Sequence, residues 1–292
     1  MHGTDNRPAA LANATAYRGD SASYIDGAPH LKHASLRALY SEMIVRVCAT
    51  AAESSETPRV LDLGAGEGSA TLKFLALGAR VTAVDSSATQ LDALRRKCER
   101  FGDRLEVRCE DVSEVLRTTC EKYDIVVASS FLHHVPDYLG LLAQTVTLLA
   151  PRGQFFSFQD PLRYDSVGRL PKMFSDLAYL SWRLTKGDVV GGLGRRLRRR
   201  RGLYLADSMH DNAEYHATRN GVDQDAICQF LREQALECQI VSYFSTQSRL
   251  FQTLGSVLGV KNTFAVLARR RPAGGPFPSS NAASCPDPQA ST

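Results

Sequence analysis

The stretch VLDLGAGEGS, residues 60–69, decides the fold class of this protein. A short β-rich run, Arg59–Leu63, carries a single acidic residue, Asp62, and glycines follow at positions 64, 66 and 68. Glycine lets the backbone turn tightly and pass close to a ligand before a helix begins. The stretch therefore predicts a strand, a ligand-binding glycine loop and a helix, in that order.

Strand and helix patterns alternate along the rest of the chain. The predicted strands are 59–63, 80–84, 105–109, 123–128, 154–158, 237–244 and 263–269, and the predicted helices are 31–52, 69–77, 88–100, 138–149, 173–185 and 223–234. Such alternation is typical of β-α-β units and of a parallel sheet covered on both faces. We therefore predict an α/β protein with a doubly wound, mostly parallel, seven-stranded Rossmann-like sheet and an inserted helical lid.

The alternation stops after Pro161, which defines the domain organisation. Residues 161–222 would form a substrate lid, because an insertion at the carboxyl edge of such a sheet lies where these folds bind ligands. The main domain is predicted to span 21–271. Polar, aperiodic composition predicts disorder for 1–20, and a tail rich in Pro, Ser, Ala and Gly predicts it for 272–292.

The charge of the chain argues against a nucleic-acid partner. The net charge is +4, and the arginine run at 195–201 contributes six positive charges, so that the remainder is slightly acidic. A generally basic surface is absent from the composition, and we expect no nucleic-acid partner. The run itself could contact an acidic substrate, anionic lipid or RNA, although a solvated face is the default for such a cluster.

Composition also predicts the cellular location. The chain contains no apolar run near the ~20 residues of a membrane helix and no secretory signal pattern at its start. Its seven cysteines are dispersed without a C-x-x-C pair, which favours reduced thiols over a disulfide framework. We therefore expect a cytoplasmic protein without a membrane span.

Two kinds of cofactor could use the glycine loop. Asp85 closes the second predicted strand 23 residues after Asp62, near the spacing of ~20 expected for an acid that binds ribose hydroxyls. A dinucleotide fingerprint G-x-G-x-x-G would need a glycine where Ser69 stands. A sulfonium cofactor has no pyrophosphate and carries an ammonium group instead, which makes a nearby carboxylate sensible.

The pattern (D/E)-x-G-x-G-x-G, met by Asp62, Gly64, Gly66 and Gly68, resembles the first motif of the class I S-adenosylmethionine-dependent methyltransferases. This resemblance implies that S-adenosyl-L-methionine is the cofactor, that Asp85 binds its ribose and that an acid after the third strand contacts its adenine. Asp85 could instead only cap the next helix, and Glu110 adjoins the candidate adenine ligand. The expected cofactor-binding residues are Asp62, Gly64, Ala65, Gly66, Gly68, Asp85, Ser86, Asp111, Val112 and Ser129.

The segment LHHVPD, residues 132–137, is similar to a sequence found in many small-molecule methyltransferases. The resemblance implies that His133, His134 and Asp160 form the acid–base group. Adjacent histidines on a turn point in different directions, so we expect only one of them to reach the substrate. Other candidates are His216, as an alternative base, and Tyr24, His30 and His33, as possible cofactor contacts. No metal site is expected, since metal-ligand spacings such as H-E-x-x-H are absent.

These observations predict an S-adenosylmethionine-dependent methyltransferase that acts on a hydroxyl of a small molecule, such as a natural product, sugar or lipid-like acceptor of secondary metabolism. A hydroxyl acceptor needs a base, and histidine suits that task near neutral pH. An N- or C-methyltransferase and a non-catalytic cofactor-binding homologue remain as alternatives. The sequence leaves open the acceptor, the histidine that acts as the base, and the oligomeric state.

Overall fold

The computed structural model describes residues 28–186 and 220–270, and the structural statements below concern these two stretches. Seven strands form one sheet in the order β3-β2-β1-β4-β5-β7-β6. The first five pair in parallel, whereas β7 is antiparallel to both β5 and β6. The strands are β1 (Arg59–Leu63), β2 (Arg80–Asp85), β3 (Leu105–Cys109), β4 (Tyr123–Ser129), β5 (Leu149–Pro161), β6 (Leu236–Tyr243) and β7 (Thr263–Arg270). The predicted seven-stranded, mostly parallel sheet is confirmed.

Helices cover both faces of this sheet. The helices are α1 (Pro29–Lys32), α2 (Ala34–Ala52), α3 (Ser69–Ala76), α4 (Ala88–Cys98), α5 (Val112–Thr118), α6 (Tyr138–Leu148), α7 (Arg169–Lys186), α8 (Gln224–Glu233) and α9 (Arg249–Val257). Successive strand residues point to opposite faces, so Leu61 and Leu63 of β1 pack against α5, α6 and α8. Val60 faces the other layer, where α2, α3 and α4 lie.

Several elements differ from the prediction made from the sequence, and the predicted helix 31–52 is divided at His33 into α1 and α2. α5 and α9 were not predicted, because one or two turns give too few repeats for a clear helical period. α6 ends at Leu148 and the strand β5 starts immediately, so Pro151 to Gly153 lie within β5 rather than between elements. The pairing of β5 with β4 is nevertheless interrupted there, between Leu149 and Gln154.

The predicted lid is only partly described. Residues 161–186 and 220–222 of the proposed 161–222 segment are present, and they include α7. The arginine run at 195–201 and the predicted disordered stretches 1–20 and 272–292 lie outside the described residues. Over the described ranges, no helix is both long enough and apolar enough to traverse a lipid bilayer.

Candidate active site

The glycine loop after β1 adopts backbone conformations that suit glycine. Gly64, Gly66 and Gly68 have φ values of +68°, +53° and +85°. Residues with a Cβ rarely adopt this left-handed region. The amide of Ala65 donates to the carbonyl of Val84 at 2.9 Å, which ties the loop to β2. The loop is therefore held at the carboxyl edge of the sheet, where such folds bind ligands.

Gly64 also makes room for an aromatic ring. A Cβ built at this position would lie 2.2 Å from Cδ2 of Phe131. Phe131 immediately precedes a 3₁₀ turn, Leu132–His134, that carries both predicted catalytic histidines. The glycine loop and the histidine turn thus pack directly against each other.

We predict that Gly64→Ala lowers the free energy of unfolding by about 2–5 kcal/mol, from left-handed strain and from overpacking against Phe131. Gly78→Ala is the matched control, since Gly78 has a φ of +93° but nothing lies within 4 Å of the place that its Cβ would occupy. The control should lose only about 1–2 kcal/mol, the strain contribution alone. Urea denaturation of the two variants measures the difference, and equal losses would show that the contact with Phe131 is unimportant.

Asp62 is a buried carboxylate at the end of β1. Only 1% of the residue is exposed, and the hydroxyl of Thr71 donates to its Oδ2 at 2.6 Å. No basic side chain among the described residues forms an ion pair with it. Burial, with a further contribution from the negative charge of Asp85, raises the pKa of Asp62 to about 6. A carboxyl group in this state favours a positively charged ligand.

Asp85 closes β2 and holds the glycine loop. Its Oδ2 accepts a hydrogen bond from the amide of Gly66 at 2.8 Å, and its Oδ1 accepts one from the amide of Ser87 at 2.8 Å. Burial raises its pKa, while these amide hydrogen bonds oppose the change. Asp85 therefore stabilises the loop and the start of α4, and its charge is close enough to Asp62 to raise the pKa of that residue.

The remaining predicted cofactor residues lie along the same edge. Asp111 caps α5 by accepting from the amide of Ser113 at 2.8 Å, so it has a structural role whether or not it contacts a ligand. Val112 is buried directly after it. Ser129 ends β4, and its Oγ accepts a hydrogen bond from the hydroxyl of Tyr40 at 2.8 Å, which links the edge of the sheet to α2.

His133 and Asp160 form a hydrogen-bonded pair across two strands. Nδ1 of His133 and Oδ1 of Asp160 are 2.8 Å apart, and the backbone amide of His133 donates to the same oxygen at 3.1 Å. When Asp160 is ionised it can only accept, and the ring proton then lies on Nδ1 with the basic lone pair on Nε2. Asp160 is fully buried and its Oδ2 has no hydrogen-bond partner, while 11% of the His133 side chain is exposed.

Burial shifts both members of this pair towards their uncharged forms. It lowers the pKa of His133 to about 4 and raises the pKa of Asp160 to about 7. The imidazole is consequently unprotonated at neutral pH, which is the form that can accept a proton.

The two adjacent histidines occupy different environments, as expected for a turn. Their ring centroids are 4.0 Å apart with the rings tilted by 45°. Nδ1 of His133 is within hydrogen-bond distance of Asp160. His134 is buried, and its charge, when present, lowers the pKa of Asp160. The geometry thus favours His133 as the base, with His134 lying beside it.

His30, on α1, is a further site residue that the sequence indicated only as a possible cofactor contact. Its ring lies edge-on to Tyr40 and Phe158, with centroid distances of 5.6 and 6.1 Å. Its Nδ1 is buried without a hydrogen-bond partner. Burial, together with the nearby His133, lowers its pKa to about 3. No local pattern marks this position, because its burial depends on how α1 packs over the sheet.

Among the other candidates, His33 has a different environment. Nε2 of His33 lies 2.8 Å from the carbonyl oxygen of Thr246, which indicates a structural role. Tyr24 and His216 lie outside the described residues. Across residues 28–186 and 220–270, no three His, Cys, Asp or Glu side chains are grouped as a metal site requires.

We predict that His30→Phe stabilises the protein by about 1–2 kcal/mol at pH 7.5, because it removes a buried nitrogen without a partner. The folded pKa of about 3 lies below the ordinary histidine value of 6.5, so protonation favours the unfolded state and stability is lost as pH falls below 6.5. The stabilisation by His30→Phe should therefore be about 2 kcal/mol larger at pH 5 than at pH 7.5.

Chemical denaturation at the two pH values tests this prediction. His33→Phe is the control and should destabilise the protein, because it removes the hydrogen bond to Thr246. A loss of stability in His30→Phe as large as in His33→Phe would show that the His30 imidazole has a structural partner.

Residues 60–153, from β1 into β5, match the family model of a methyltransferase domain, and this match covers the glycine loop, Asp85 and the histidine turn. A curated relative, the ubiquinone biosynthesis O-methyltransferase of Actinobacillus pleuropneumoniae, is 32% identical over 102 residues, which are 34% of this chain and 44% of the relative. The chain thus spans less than half the length of this relative.

Solved structures of methyltransferases share the fold. The N-methyltransferase NodS from Bradyrhizobium japonicum WM9, solved in complex with S-adenosyl-L-homocysteine, is 15% identical with a TM-score of 0.50, covering 91% of this chain and 99% of NodS. A putative sarcosine dimethylglycine methyltransferase from Galdieria sulphuraria is 17% identical with a TM-score of 0.52, covering 83% and 88%. The family match falls on the strands and loops that carry the predicted cofactor motif, and the sheet agrees in fold with these structures, so residues 60–153 resemble a methyltransferase domain.

Proposed function

We propose that this protein transfers a methyl group from S-adenosyl-L-methionine to a hydroxyl group of a small molecule, such as a natural product, a sugar or a lipid-like acceptor. The observation that carries the proposal is the His133–Asp160 pair, with 2.8 Å between Nδ1 and Oδ1, on the turn that packs against the glycine loop. A hydroxyl acceptor needs a base in this place, because its oxygen is a weak nucleophile until the proton leaves. A neutral amine nitrogen can attack without a base.

The residues at the carboxyl edge fit the proposed cofactor. Asp62 is buried, and its pKa is raised to about 6, so a neighbouring ammonium group would compensate its charge. Gly64, Gly66 and Gly68 leave the loop without side chains that would block a ligand. Asp85 retains lone pairs for ribose hydroxyls besides those that accept from the loop amides. Ser86, Asp111, Val112 and Ser129 complete the proposed site. When bound, the cofactor supplies a methyl group on a positively charged sulfur.

His133 and Asp160 divide the proton transfer between them. Nε2 of His133 would take the proton of the acceptor hydroxyl while the hydroxyl oxygen displaces the sulfur from the methyl carbon: the new O–C bond forms, the C–S bond breaks, and the sulfur leaves as a neutral thioether. In its ionised form, Asp160 holds the imidazole in the tautomer with the proton on Nδ1 and stabilises the positive charge that develops on the ring. The burial of both groups keeps water away from the reacting atoms and strengthens these electrostatic effects. The proton remains on His133 until it is released to solvent.

An oxygen acceptor also agrees with the name of the curated relative, which is an O-methyltransferase. The partly described segment 161–222 would close over the acceptor as a lid, and α7 is the helix of this segment that the structure describes. The assignments of lid, acceptor and site residues rest on their position at the carboxyl edge and on their chemistry.

Isothermal titration calorimetry with S-adenosyl-L-homocysteine tests cofactor binding first. A screen of catechols, phenols and glycosides, with methyl-labelled cofactor and mass spectrometry of the product, then tests for methyl transfer to oxygen. Binding without turnover of any acceptor would favour a non-catalytic homologue. Turnover that survives both His133→Ala and His134→Ala would favour a nitrogen or carbon acceptor that needs no base.

A further inference from the structure

Large apolar side chains on the surface are concentrated on two helices. Of the ten exposed large hydrophobic residues in the described part of the chain, eight lie on or directly after α7 and α9. They are Leu170, Met173, Leu177 and Leu184 on α7, and Leu250, Leu254, Val257 and Leu258 at α9. A concentration of this kind marks an interaction surface more often than scattered exposed residues do.

The two helices pack together and direct these residues outwards. On α7, positions 170, 173, 177 and 184 recur at helical spacing and so share one side of the helix. Phe174 faces inwards instead, with its ring centroid 5.2 Å from that of Phe251 on α9 and 5.5 Å from that of Phe244. The hydroxyls of Ser181 and Ser248 are 3.4 Å apart. The exposed side chains of both helices form what we call the α7–α9 surface.

Basic residues accompany this surface. The sequence of α7 contains four basic residues, Arg169, Lys172, Arg183 and Lys186, against a single acid, Asp176. Arg249 begins α9, and the rest of this helix contains no charged residue. An amphipathic helix with apolar residues on one side and Lys or Arg beside them is typical of segments that lie in the plane of a membrane interface.

We propose that the α7–α9 surface docks on an anionic lipid membrane, with the leucine, methionine and valine side chains in the interfacial region and the basic residues beside the lipid phosphates. Charge selects this occupant over a second copy of the chain, because pairing two such surfaces would bring like charges together. Anionic headgroups attract basic segments near the interface. The exposed apolar side chains of α7 and α9 add the buried area that stable membrane binding needs. α7 belongs to the predicted lid, so docking would bring the acceptor side of the protein to the lipid.

Co-sedimentation with vesicles tests the proposal without cofactor or acceptor, so its outcome is independent of methyl transfer. We expect the full chain to bind vesicles of equal parts phosphatidylglycerol and phosphatidylcholine at least 10-fold more tightly than vesicles of phosphatidylcholine alone. The double variant Leu250→Glu with Val257→Glu should lose at least 10-fold in binding to the anionic vesicles. These side chains are 65% and 81% exposed, so the fold should survive, which circular dichroism checks.

Val45→Glu with Leu77→Glu is the matched control, since these two exposed residues lie away from both helices, on α2 and after α3. The control should bind anionic vesicles as the wild type does. The proposal is overturned if the wild type does not bind anionic vesicles, or if the α9 variant binds as well as the control. It is also overturned if gel filtration shows a concentration-dependent dimer that the Leu250→Glu, Val257→Glu variant abolishes while vesicle binding stays unchanged. If vesicle binding depends solely on the arginines at 195–201, the lipid contact lies at that run and not on the α7–α9 surface, and the proposal is likewise overturned.

Discussion

Asp62→Asn is expected to weaken binding of S-adenosyl-L-homocysteine about 100-fold, as the loss of a charged partner in a buried pair costs about 2–5 kcal/mol. The asparagine has nearly the same shape and can still accept the hydrogen bond from Thr71. The substitution therefore removes the negative charge that we propose attracts the ammonium group, and leaves the loop in place.

The same substitution should stabilise the protein without ligand. The pKa of Asp62 is raised from 3.8 to about 6, so the folded state holds its proton more tightly than the unfolded chain does. Stability from this group is present at low pH and is lost as pH rises from 3.8 through 6. At pH 7.5 the buried charge then costs about 1–3 kcal/mol, and Asp62→Asn should recover this amount.

Calorimetry and urea denaturation at pH 4.5 and 7.5 measure both effects. Asp103→Asn is the control, because its side chain is 87% exposed and should change neither affinity nor stability. An Asp62→Asn protein that binds the ligand normally would refute the proposed role. A variant that loses affinity only because it is less stable at both pH values would assign Asp62 a structural role.

His133→Ala is expected to lower the turnover number about 10²–10⁴-fold, the usual contribution of a general base. Affinity for S-adenosyl-L-homocysteine should stay within about 3-fold, because the imidazole acts on the acceptor. Burial lowers the pKa of His133 to about 4, so the wild-type base is already unprotonated between pH 6 and 8. In the variant, turnover should instead rise with pH, since the acceptor hydroxyl must ionise without help.

Single-turnover rates of methyl transfer across this pH range test the prediction, with the acceptor that the product screen identifies. His134→Ala is the matched control, since Nδ1 of His133 hydrogen-bonds Asp160, and we expect the loss in His134→Ala to be less than about 10-fold. Asp160→Asn should fall between the two variants, because an amide can still hold the ring but cannot stabilise its positive charge. A larger loss in His134→Ala than in His133→Ala would reverse the assignment of the base.

The β-strands and the glycine loop were predictable because their signals are local. Short β-rich runs of five to seven residues identified β1 to β4 closely, and the start of β3 at Leu105 was predicted correctly. The two missed helices, α5 and α9, are short, and burial of Val115 and Leu116 against the sheet stabilises α5 more than its own periodicity does. Long-range packing decided these elements.

The residues of the site likewise divide into those that local sequence predicts and those that depend on long-range packing. The positions of Asp62 and Asp85 follow from the rule that the carboxyl ends of parallel strands meet at one edge. Resemblance alone indicated that His133 and Asp160 act together, and their hydrogen bond depends on the pairing of β4 with β5. The sequence indicated His30 only as a possible cofactor contact, because its burial against Phe158 depends on how α1 lies over the sheet.

The amino-acid sequence by itself determined which segments become strands, where the chain can turn at glycine and which strand ends carry carboxylates, because each depends on neighbouring residues. Only the tertiary structure decided that β7 inserts between β5 and β6, that Phe131 packs on Gly64 and that Nδ1 of His133 hydrogen-bonds Asp160. These contacts join distant parts of the chain, and the burial that they create sets the pKa values on which the proposed chemistry depends.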